Sequence, residues 1–341
     1  MGESDPPGMD LRKLRAHLDS ALPGLVRADL HGELIAGGRS NLTYLVTDDH
    51  HRWVVRRPPL GHVLPTAHDM GREHRVISAL EGTPVPVPGT VLSCPDSDVI
   101  GAPFYVMEYV AGTPFRRAGE LDALGATRTR AIVLSMVDTL VALHAVDPVG
   151  AGLADFGRPE GFTARQLRRW GKQLDASRSR ELPGVDELHR RLAARLPDPP
   201  APAVVHGDYR LDNMLVDGAD RITAVLDWEM STLGDPLTDL GLLLAYGSPA
   251  MPVGSGVSDA HLAAGYPAAD EITERYARGS GLDVADLDWY VGFAFFKIAV
   301  ILEGIHYRFA QGRTVGADFD RIGEVVPGLI EGGLARMEGR G

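Results

Sequence analysis

The hydrophobic pattern of this chain changes near Gly112, and that change constrains the fold more than any other feature of the sequence. Before it, short segments rich in β-branched and aromatic residues alternate with clusters of Gly, Pro and Asp, which is typical of strands and turns. After it, apolar residues recur at helical spacing over longer segments. The sequence therefore predicts an α+β protein with two domains. Residues 1–110 would form an antiparallel sheet with one helix, and residues 111–341 a mainly helical domain.

The predicted elements follow from these patterns. In the first domain the helix ends at Leu80 and begins after Asp69, a good N-cap residue. The strands expected there are Leu34–Val46, Arg52–Arg56, Thr90–Ser93 and Pro103–Val110. In the second domain the expected strands are Ala203–Val205, Met214–Val216 and Ile222–Asp227. The expected helices are Ala131–His144, Phe162–Ala176, Val185–Leu196, Pro236–Tyr246, Ala268–Arg278, Asp286–Gln311 and Phe319–Met337.

The composition is that of an ordinary globular protein, with 44% hydrophobic and 23% charged residues. A formal net charge of −12 argues against nucleic acid and anionic membranes as partners, because binding to either needs clustered Lys and Arg. The apolar stretch Trp289–Ile305 contains Lys297 and Glu303, so we interpret it as a buried helix rather than a membrane span. The single Cys94 and an N-terminus without a secretory signal favour a cytoplasmic protein. The sequence does not indicate an oligomeric state.

The segment His206–Asn213, with the sequence HGDYRLDN, directly follows an apolar strand and precedes another. A kinase catalytic loop needs a carboxylate that orients or deprotonates the substrate hydroxyl, and an amide oxygen five residues later that reaches a metal ion. Asp208 and Asn213 have that spacing. In the segment VLDWE, Asp227 stands at the end of an apolar strand, where its carboxylate can bind magnesium. The sequence therefore predicts a base and two metal ligands.

The segments HGDYRLDNML and VLDWEMSTLGDPLTDLG resemble the aminoglycoside phosphotransferase and choline kinase family, relatives of protein kinases. Within that family, WVVRRPP and GDPLTDLG are most similar to the phosphotransferase domains that also occur fused to acyl-CoA dehydrogenases. The resemblance extends from about Ile35 to about Gln311 and implies a two-lobed, protein-kinase-like fold. It also implies ATP and Mg²⁺ as cofactors, with Asp208 as the base, Asn213 and Asp227 on the metal, and His206 holding the loop.

The resemblance assigns the nucleotide site to the first domain. The loop Gly37–Asn41 would cover the phosphates through backbone N–H groups, including that of Gly38, and through the side chains of Ser40 and Asn41. Taken alone, the Gly-Gly pair is more typical of a hairpin turn than of a phosphate-binding loop. Glu108 and Val110 would contact adenine through their main chains, although an edge strand followed by a linker has the same pattern.

Arg56 stands where a protein kinase has its phosphate-pairing Lys, and Glu73 would be its ion-pair partner. The neighbouring Arg57 is the alternative for that role. Arg210 has two possible roles: it could neutralise the transferring phosphoryl group, or it could stabilise the loop by pairing with a carboxylate.

The function predicted from these residues is ATP-dependent transfer of a phosphoryl group to a small-molecule alcohol. An aminoglycoside, a choline-like amine, a sugar, a macrolide and a hydroxyacyl-CoA are all compatible acceptors. In this family the acceptor pocket is built by variable helices, here Phe162–Ala176 and Tyr290–Tyr307. Two alternatives stay open: a nucleotide-binding module without turnover, and a metal-dependent phosphohydrolase with His206, Asp208 and Asp227 as direct ligands.

Overall fold

A computed structural model describes residues 5–35, 41–60, 68–251, 258–312 and 321–339. The chain divides into two compact units: Met1–Ala111 with Thr223–Glu229, and Gly112–Ile222 with Met230–Gly341. The sequence predicts a single boundary between residues 110 and 111. The units separate after Ala111, and the short segment that carries Asp227 belongs to the first unit. A single boundary along the chain cannot describe this division, because the first unit is made of two separate segments.

The first unit is built on a five-stranded antiparallel sheet with the strand order β1-β2-β3-β5-β4. Its strands are β1 (His31–Leu34), β2 (Leu42–Thr47), β3 (Arg52–Arg57), β4 (Thr90–Cys94) and β5 (Phe104–Glu108). Its helices are α1 (Leu11–Ala21), α2 (Met70–Leu80) and α3 (Ser97–Ile100). The Asp69 carboxylate accepts the N–H of Arg72 at 2.9 Å and so caps α2, as the sequence predicts.

The prediction of one helix in this part of the chain was wrong, because α1 and α3 are also present. Asp10 caps α1 by accepting the N–H of Lys13 at 2.9 Å. Only Leu14 and Leu18 of α1 are buried, and both join the core that contains Tyr44 and Phe104. Two buried positions in eleven residues are too weak a periodic signal to identify a helix from sequence alone.

The second unit is mainly helical. Its helices are α4 (Ala118–Asp122), α5 (Ala126–His144), α6 (Phe162–Ser177), α7 (Val185–Ala194), α8 (Leu237–Tyr246), α9 (Ala269–Ser280), α10 (Leu287–Ala310) and α11 (Val326–Met337). Its short strands β6 (Ala203–Val205) and β9 (Thr232–Gly234) pair antiparallel. The sequence did not predict α4 or β9, and α5 begins before the predicted Ala131. Together with the first unit, this architecture confirms the predicted α+β class.

Two further strands flank the turn that leads from the catalytic loop toward Asp227. They are β7 (Met214–Val216) and β8 (Ile222–Val225). The turn is closed by the N–H of Asp217, which donates to the carbonyl of Arg221 at 3.0 Å. The Asp217 carboxylate also accepts the N–H groups of Ala219 and Arg221, as is common for Asp in tight turns.

Helix α10 is long and apolar enough to cross a membrane by length and composition alone. However, 78% of its most apolar window is buried inside the protein, which is typical of a core helix. Its ring contacts agree with this, because Trp289 stacks on Phe293 at 5.3 Å between ring centroids. In the described part of the chain, no other helix meets the same length and composition.

Candidate active site

The predicted catalytic loop begins at the end of β6, whose three residues are all buried. The Asp239 carboxylate on α8 accepts the N–H of His206 at 2.6 Å and that of Gly207 at 2.8 Å. His144 also lies against this carboxylate, with Nε2 3.4 Å from Oδ2. A buried carboxylate that accepts two backbone N–H groups holds a loop firmly, because charge-assisted hydrogen bonds are the strong ones. Asp239 therefore fixes the start of the loop.

Gly207 needs to be glycine for two reasons. Its φ of +83° lies in the left-handed region, where side chains are strained. A Cβ atom added there would stand 2.7 Å from the carbonyl oxygen of Met230. The loop therefore turns at a point where no side chain fits, and this turn precedes Asp208.

Four neighbours surround Asp208. Its Oδ2 accepts the amide nitrogen of Asn213 at 3.0 Å and lies 3.3 Å from Nε of Arg210. Its Oδ1 accepts the hydroxyl of Tyr246 at 3.3 Å. Its backbone N–H donates to Nδ1 of His206 at 3.2 Å, so His206 supports the loop. The Asp208 side chain is 24% exposed, which leaves it accessible to a substrate.

The electrostatic surroundings keep Asp208 ionised. Burial raises the pKa of its carboxyl, but the charges of Arg210, Lys297 and His206 and the hydrogen bond from Asn213 together hold the pKa below its ordinary value. An ionised carboxylate with a low pKa is a weak base at neutral pH. It is nevertheless well suited to accept a hydrogen bond from a hydroxyl group and so orient it for attack.

Asn213 ends a 3₁₀ turn, Leu211–Asn213, that follows Arg210. Its amide nitrogen donates both to the backbone carbonyl of Asp208 at 2.9 Å and to the Asp208 carboxylate. Because both bonds use the nitrogen, the amide oxygen is the atom left to bind a cation. An amide oxygen is a suitable ligand for magnesium, so the geometry of Asn213 fits the predicted role.

Arg210 pairs with carboxylates in this structure. Its Nε lies 3.3 Å from Asp208 and 3.3 Å from Asp212, and its guanidinium stands 5.3 Å from the ring of Tyr246. Of the two roles left open by the sequence, the loop-stabilising one is the arrangement seen here. A role for Arg210 on the phosphoryl group stays a prediction.

The sequence reasoning gave no site role to Lys297 and Tyr246. Lys297 on α10 donates to the carbonyl oxygen of Gly207 at 2.5 Å. Burial lowers the pKa of Lys297, while Asp208 and Asp239 raise it. The signal that could have identified Lys297 is its position as the one Lys or Arg in the apolar stretch Trp289–Ile305, because such a charge needs a compensating partner when it is buried. Nothing in the sequence distinguishes Tyr246 from a core tyrosine.

In the first unit, Arg56 joins two carboxylates. Its Nη2 atom lies 2.8 Å from Oδ1 of Asp227 and 3.1 Å from Oε1 of Glu73. The Glu73 side chain is 1% exposed, and burial raises its pKa while Arg56 lowers it. Arg56 thus has the partner predicted for it, and Asp227 retains Oδ2 as an oxygen that can bind a cation.

Arg57 faces the opposite side of β3, as expected for adjacent residues of a strand. Its guanidinium donates to the carbonyl oxygens of Gly8, Pro58 and Ile100. These contacts hold loops of the first unit together. Arg56, rather than Arg57, is therefore the arginine that pairs with Glu73.

Asp227 has a left-handed backbone, with a φ of +66°. Such a conformation is uncommon outside glycine and occurs most often in Asn and Asp. The indole of Trp228 donates to the carbonyl of Val225 at 2.9 Å, which fixes the turn just after β8. Strained backbone at the end of a strand is common at functional sites.

The predicted phosphate-covering loop is described only at its end. Gly38 and Ser40 lie outside the described residues. Asn41 is 2% exposed, its amide nitrogen donates to Glu229 at 3.1 Å, and its amide oxygen lies 2.8 Å from Nδ1 of His68. Its side chain is thus occupied by protein partners, and its assignment to the phosphates stays a prediction.

The predicted adenine contacts lie at the end of β5. The N–H of Glu108 donates to the carbonyl of Gly89 at 2.8 Å, so this N–H is not available to a base. The carbonyl of Glu108 and the main chain of Val110 are the groups left for that role, and their assignment stays a prediction.

A pocket opens beside the catalytic loop, entirely within the second unit. It encloses about 500 Å³, including the solvent at its mouth. Its walls come mainly from α6, α8 and α10, and α6 and α10 are the helices expected to build an acceptor pocket. Its lining residues include Arg169 and Trp170 of α6, Phe293 and Lys297 of α10, and Gly207 of the loop.

Replacing Asp239 by asparagine should lower the free energy of unfolding by about 2 kcal/mol or more, because one of two buried N–H groups loses its acceptor. Chemical denaturation in urea measures this. The control is Asp175→Asn, which removes an exposed carboxylate from α6 and should change stability by less than about 0.5 kcal/mol. Equal stability of the two variants would show that Asp239 does not hold the loop.

Comparison with known families agrees with this geometry. A model of the phosphotransferase enzyme family, APH, matches residues 31–281. Acyl-CoA dehydrogenase family member 11 of Rattus norvegicus is 36% identical over 334 residues, which cover 95% of this chain and 43% of that protein. The chain therefore spans less than half the length of this curated relative.

Solved structures show the same fold. A protein of Ralstonia eutropha JMP134, assigned to the aminoglycoside phosphotransferases, superposes with a TM-score of 0.85. It is 32% identical, with 97% of this chain and 99% of that chain covered. The aminoglycoside phosphotransferase APH(4)-Ia, in a ternary complex with AMP-PNP and hygromycin B, has a TM-score of 0.61 and 15% identity, with 94% and 99% of the two chains covered. The latter likeness concerns the fold alone.

Proposed function

We propose that this chain, which belongs to the phosphotransferase enzyme family, transfers the γ-phosphoryl group of ATP to a hydroxyl group of a small molecule. The observation that carries the proposal is the environment of Asp208. Its carboxylate is accessible, ionised and held by Asn213 and Tyr246 on a loop that Asp239 fixes in place. Phosphoryl transfer depends mainly on positioning and charge neutralisation, and this loop supports the positioning.

The acceptor hydroxyl would donate a hydrogen bond to Asp208. Its oxygen would then attack the γ-phosphorus of ATP, forming the new P–O bond as the bond to the β-phosphate oxygen breaks and ADP leaves. The hydroxyl proton would pass to Asp208 and from there to solvent. Because the pKa of Asp208 is lowered, its main contribution would be to orient the hydroxyl.

Each of the two predicted ligands, taken by itself, is suited to magnesium. Asn213 of the second unit retains its amide oxygen and Asp227 of the first unit its Oδ2, and both are hard oxygen ligands of the type that magnesium prefers. When bound, the ion would offset negative charge on the ATP phosphates. Arg56, held by the buried Glu73, would place a permanent positive charge on the donor side.

The two alternative functions have less support. A nucleotide-binding module without turnover would need no accessible carboxylate at position 208, yet that carboxylate is held by three side chains. A phosphohydrolase would need His206 as a metal ligand, yet Nδ1 of this fully buried imidazole accepts the N–H of Asp208. Among the described residues, no group of three or more His, Cys, Asp or Glu side chains has a metal-binding arrangement.

The acceptor is not identified by the family. The relatives include a protein crystallised with hygromycin B and a part of acyl-CoA dehydrogenase family member 11, so an aminoglycoside and a hydroxyacyl-CoA are both reasonable first acceptors. A cytoplasmic location, and the absence of nucleic acid and membrane partners, are part of the proposal and are supported by the sequence alone.

The proposal is tested by measuring ADP formation from ATP and magnesium with a panel of alcohols. The panel should contain kanamycin, choline, free hydroxy acids and hydroxyacyl-CoA thioesters. We expect at least one acceptor to stimulate ADP formation, and EDTA to abolish that stimulation. ATP binding without stimulation by any alcohol would favour the binding module, and release of phosphate from phosphoesters without ATP would favour the phosphohydrolase.

A further inference from the structure

Helix α8 holds the catalytic loop at two points. Near its beginning, the Asp239 carboxylate accepts the N–H groups of His206 and Gly207. At its last residue, the hydroxyl of Tyr246 donates to Oδ1 of Asp208 at 3.3 Å. Asp239 and Tyr246 are seven positions apart, which is about two helical turns, so both lie on the same face of α8. This face therefore holds both the backbone that precedes Asp208 and the Asp208 carboxylate itself.

Helix α8 is itself packed closely against α10, within the second unit. At Gly241, in the middle of α8, an added Cβ atom would stand 2.7 Å from the backbone of Tyr290 on α10. The two helices therefore approach each other at a distance that only glycine permits. Lys297, also on α10, donates to the carbonyl of Gly207 at 2.5 Å. The loop is thus held by two helices that are fixed against each other.

The orientation of the Asp208 carboxylate depends on contacts with both of its oxygens. Rotation about the last side-chain bond of an aspartate has a broad energy minimum, so a contact with one oxygen alone leaves the plane of the carboxylate poorly fixed. Asn213 donates to Oδ2 at 3.0 Å from within the loop, whereas Tyr246 donates to Oδ1 from α8. A carboxylate oxygen has two lone pairs, so Oδ1 can also accept a hydrogen bond from an acceptor hydroxyl.

The side chain of Tyr246 is suited to this contact. Burial, and next the charge of Asp208, raise the pKa of Tyr246, so its hydroxyl keeps the proton at neutral pH and is the donor. The guanidinium of Arg210 lies 5.3 Å from the centroid of the Tyr246 ring, a cation–π contact that holds the ring beside the loop. The 3.3 Å hydrogen bond is long for two oxygens, and catalytic hydrogen bonds often shorten when substrate binds.

We propose that Tyr246 is a positioning residue for phosphoryl transfer, whose hydroxyl fixes the plane of the Asp208 carboxylate so that Oδ1 orients the acceptor hydroxyl for attack. Tyr246 itself does not contact the reacting atoms. Its contribution is made mainly in the transition state, where the direction of the attacking oxygen matters most, and less in substrate binding. This inference rests on the proposed phosphotransferase function and adds to it a residue outside the catalytic loop.

The substitution Tyr246→Phe tests the inference, because it removes one oxygen atom and keeps the ring. With the alcohol that best stimulates ADP formation, we expect kcat to fall about tenfold, since a hydrogen bond to a charged group contributes about that factor. The KM for the alcohol and the dissociation constant for ATP should each change by less than about twofold, because the lost interaction acts in the transition state. Initial rates and equilibrium ATP binding measure these constants.

Tyr290→Phe is the matched control. The hydroxyl of Tyr290 also donates to a carboxylate, that of Asp235, at 2.6 Å, and both residues are buried. Asp235 has no role in the proposed reaction. Tyr290→Phe should therefore lower the urea concentration at which half of the protein is unfolded and leave kcat unchanged. An equal loss of kcat in Tyr246→Phe and Tyr290→Phe would show that kcat follows stability, and the inference would be wrong.

A double-mutant cycle separates positioning from a general structural effect. Asp208→Ala removes the carboxylate, so Tyr246 has nothing left to position. Adding Tyr246→Phe to Asp208→Ala should then change the remaining turnover by less than about twofold. A further tenfold loss in that background would show that Tyr246 acts independently of Asp208, and would overturn the inference.

Failure of the inference differs from failure of the proposed function. If the wild-type protein phosphorylates an alcohol and Tyr246→Phe has the same kcat, Tyr246 is not a positioning residue and the phosphotransferase function stands. If the wild-type protein phosphorylates no alcohol, both the inference and the proposed function are wrong.

Discussion

We expect the Asp208→Asn variant to lose about 10²–10⁴-fold in turnover while its affinity for ATP changes by less than about twofold. The substitution keeps a group that can accept the hydrogen bond from Asn213 and removes the charge that the acceptor hydroxyl would meet. Its partners Arg210 and Lys297 are cations, so the neutral side chain also leaves positive charge uncompensated. Initial rates and equilibrium binding of a fluorescent ATP analogue separate the two effects.

The control for Asp208→Asn is Asp198→Asn. Asp198 is an exposed aspartate in the proline-rich segment before β6 and forms no ion pair or hydrogen bond with any described residue. This substitution makes the same chemical change elsewhere in the second unit and should leave both turnover and ATP binding unchanged. If Asp208→Asn weakened ATP binding as much as turnover, Asp208 would act on the nucleotide, and its assignment to the acceptor would be wrong.

The second large effect is expected for Asp227→Asn, which should lower kcat about 10²–10³-fold and raise the magnesium concentration needed for half-maximal activity. Asparagine tolerates the positive φ of this position, so the turn should persist. The change removes a charged ligand, and it also takes from Arg56 one of its two carboxylate partners. Magnesium titrations at saturating ATP measure the effect.

Asp220→Asn provides a closely matched control for Asp227→Asn. Asp220 also has a positive φ, 64°, and also pairs with an arginine, Arg128, at 2.7 Å. It lies in the turn after β7, and no metal role is assigned to it. The control should keep both its activity and its magnesium requirement. An unchanged magnesium requirement in Asp227→Asn would contradict the role of Asp227 as a metal ligand.

Local sequence patterns predicted the elements that are long or strongly capped. Helix α10 was recognised because apolar residues predominate over its 24 positions, and α2 because Asp69 caps it. Short elements were missed because they contain too few residues to form a local pattern. Strand β9 has three residues and gains its stability from pairing with β6, a contact that no local pattern encodes. The inclusion of Thr223–Glu229 in the first unit depends on long-range contacts in the same way.

The residues of the candidate site also fall into those that local sequence patterns predict and those that depend on long-range contacts. Asp208 and Asn213 were found because their roles depend on a spacing within one loop, and the structure joins them by a hydrogen bond. Arg56 was distinguished from Arg57 only in the structure, since the choice depends on which face of β3 meets Glu73. Lys297 lies 90 residues from Gly207, so its contact with the loop could not be read from spacing.

The central claim is direct transfer of a phosphoryl group to an alcohol, and the most direct test follows the label of [γ-³²P]ATP. With magnesium and an acceptor present, we predict that the label appears in a phosphate monoester of that acceptor, one equivalent for each ADP formed, and that Asp208→Asn slows the formation of this product about 10²–10⁴-fold. Label recovered only as inorganic phosphate, or retained in ATP with every acceptor tested, would contradict the assignment of this chain as a small-molecule kinase.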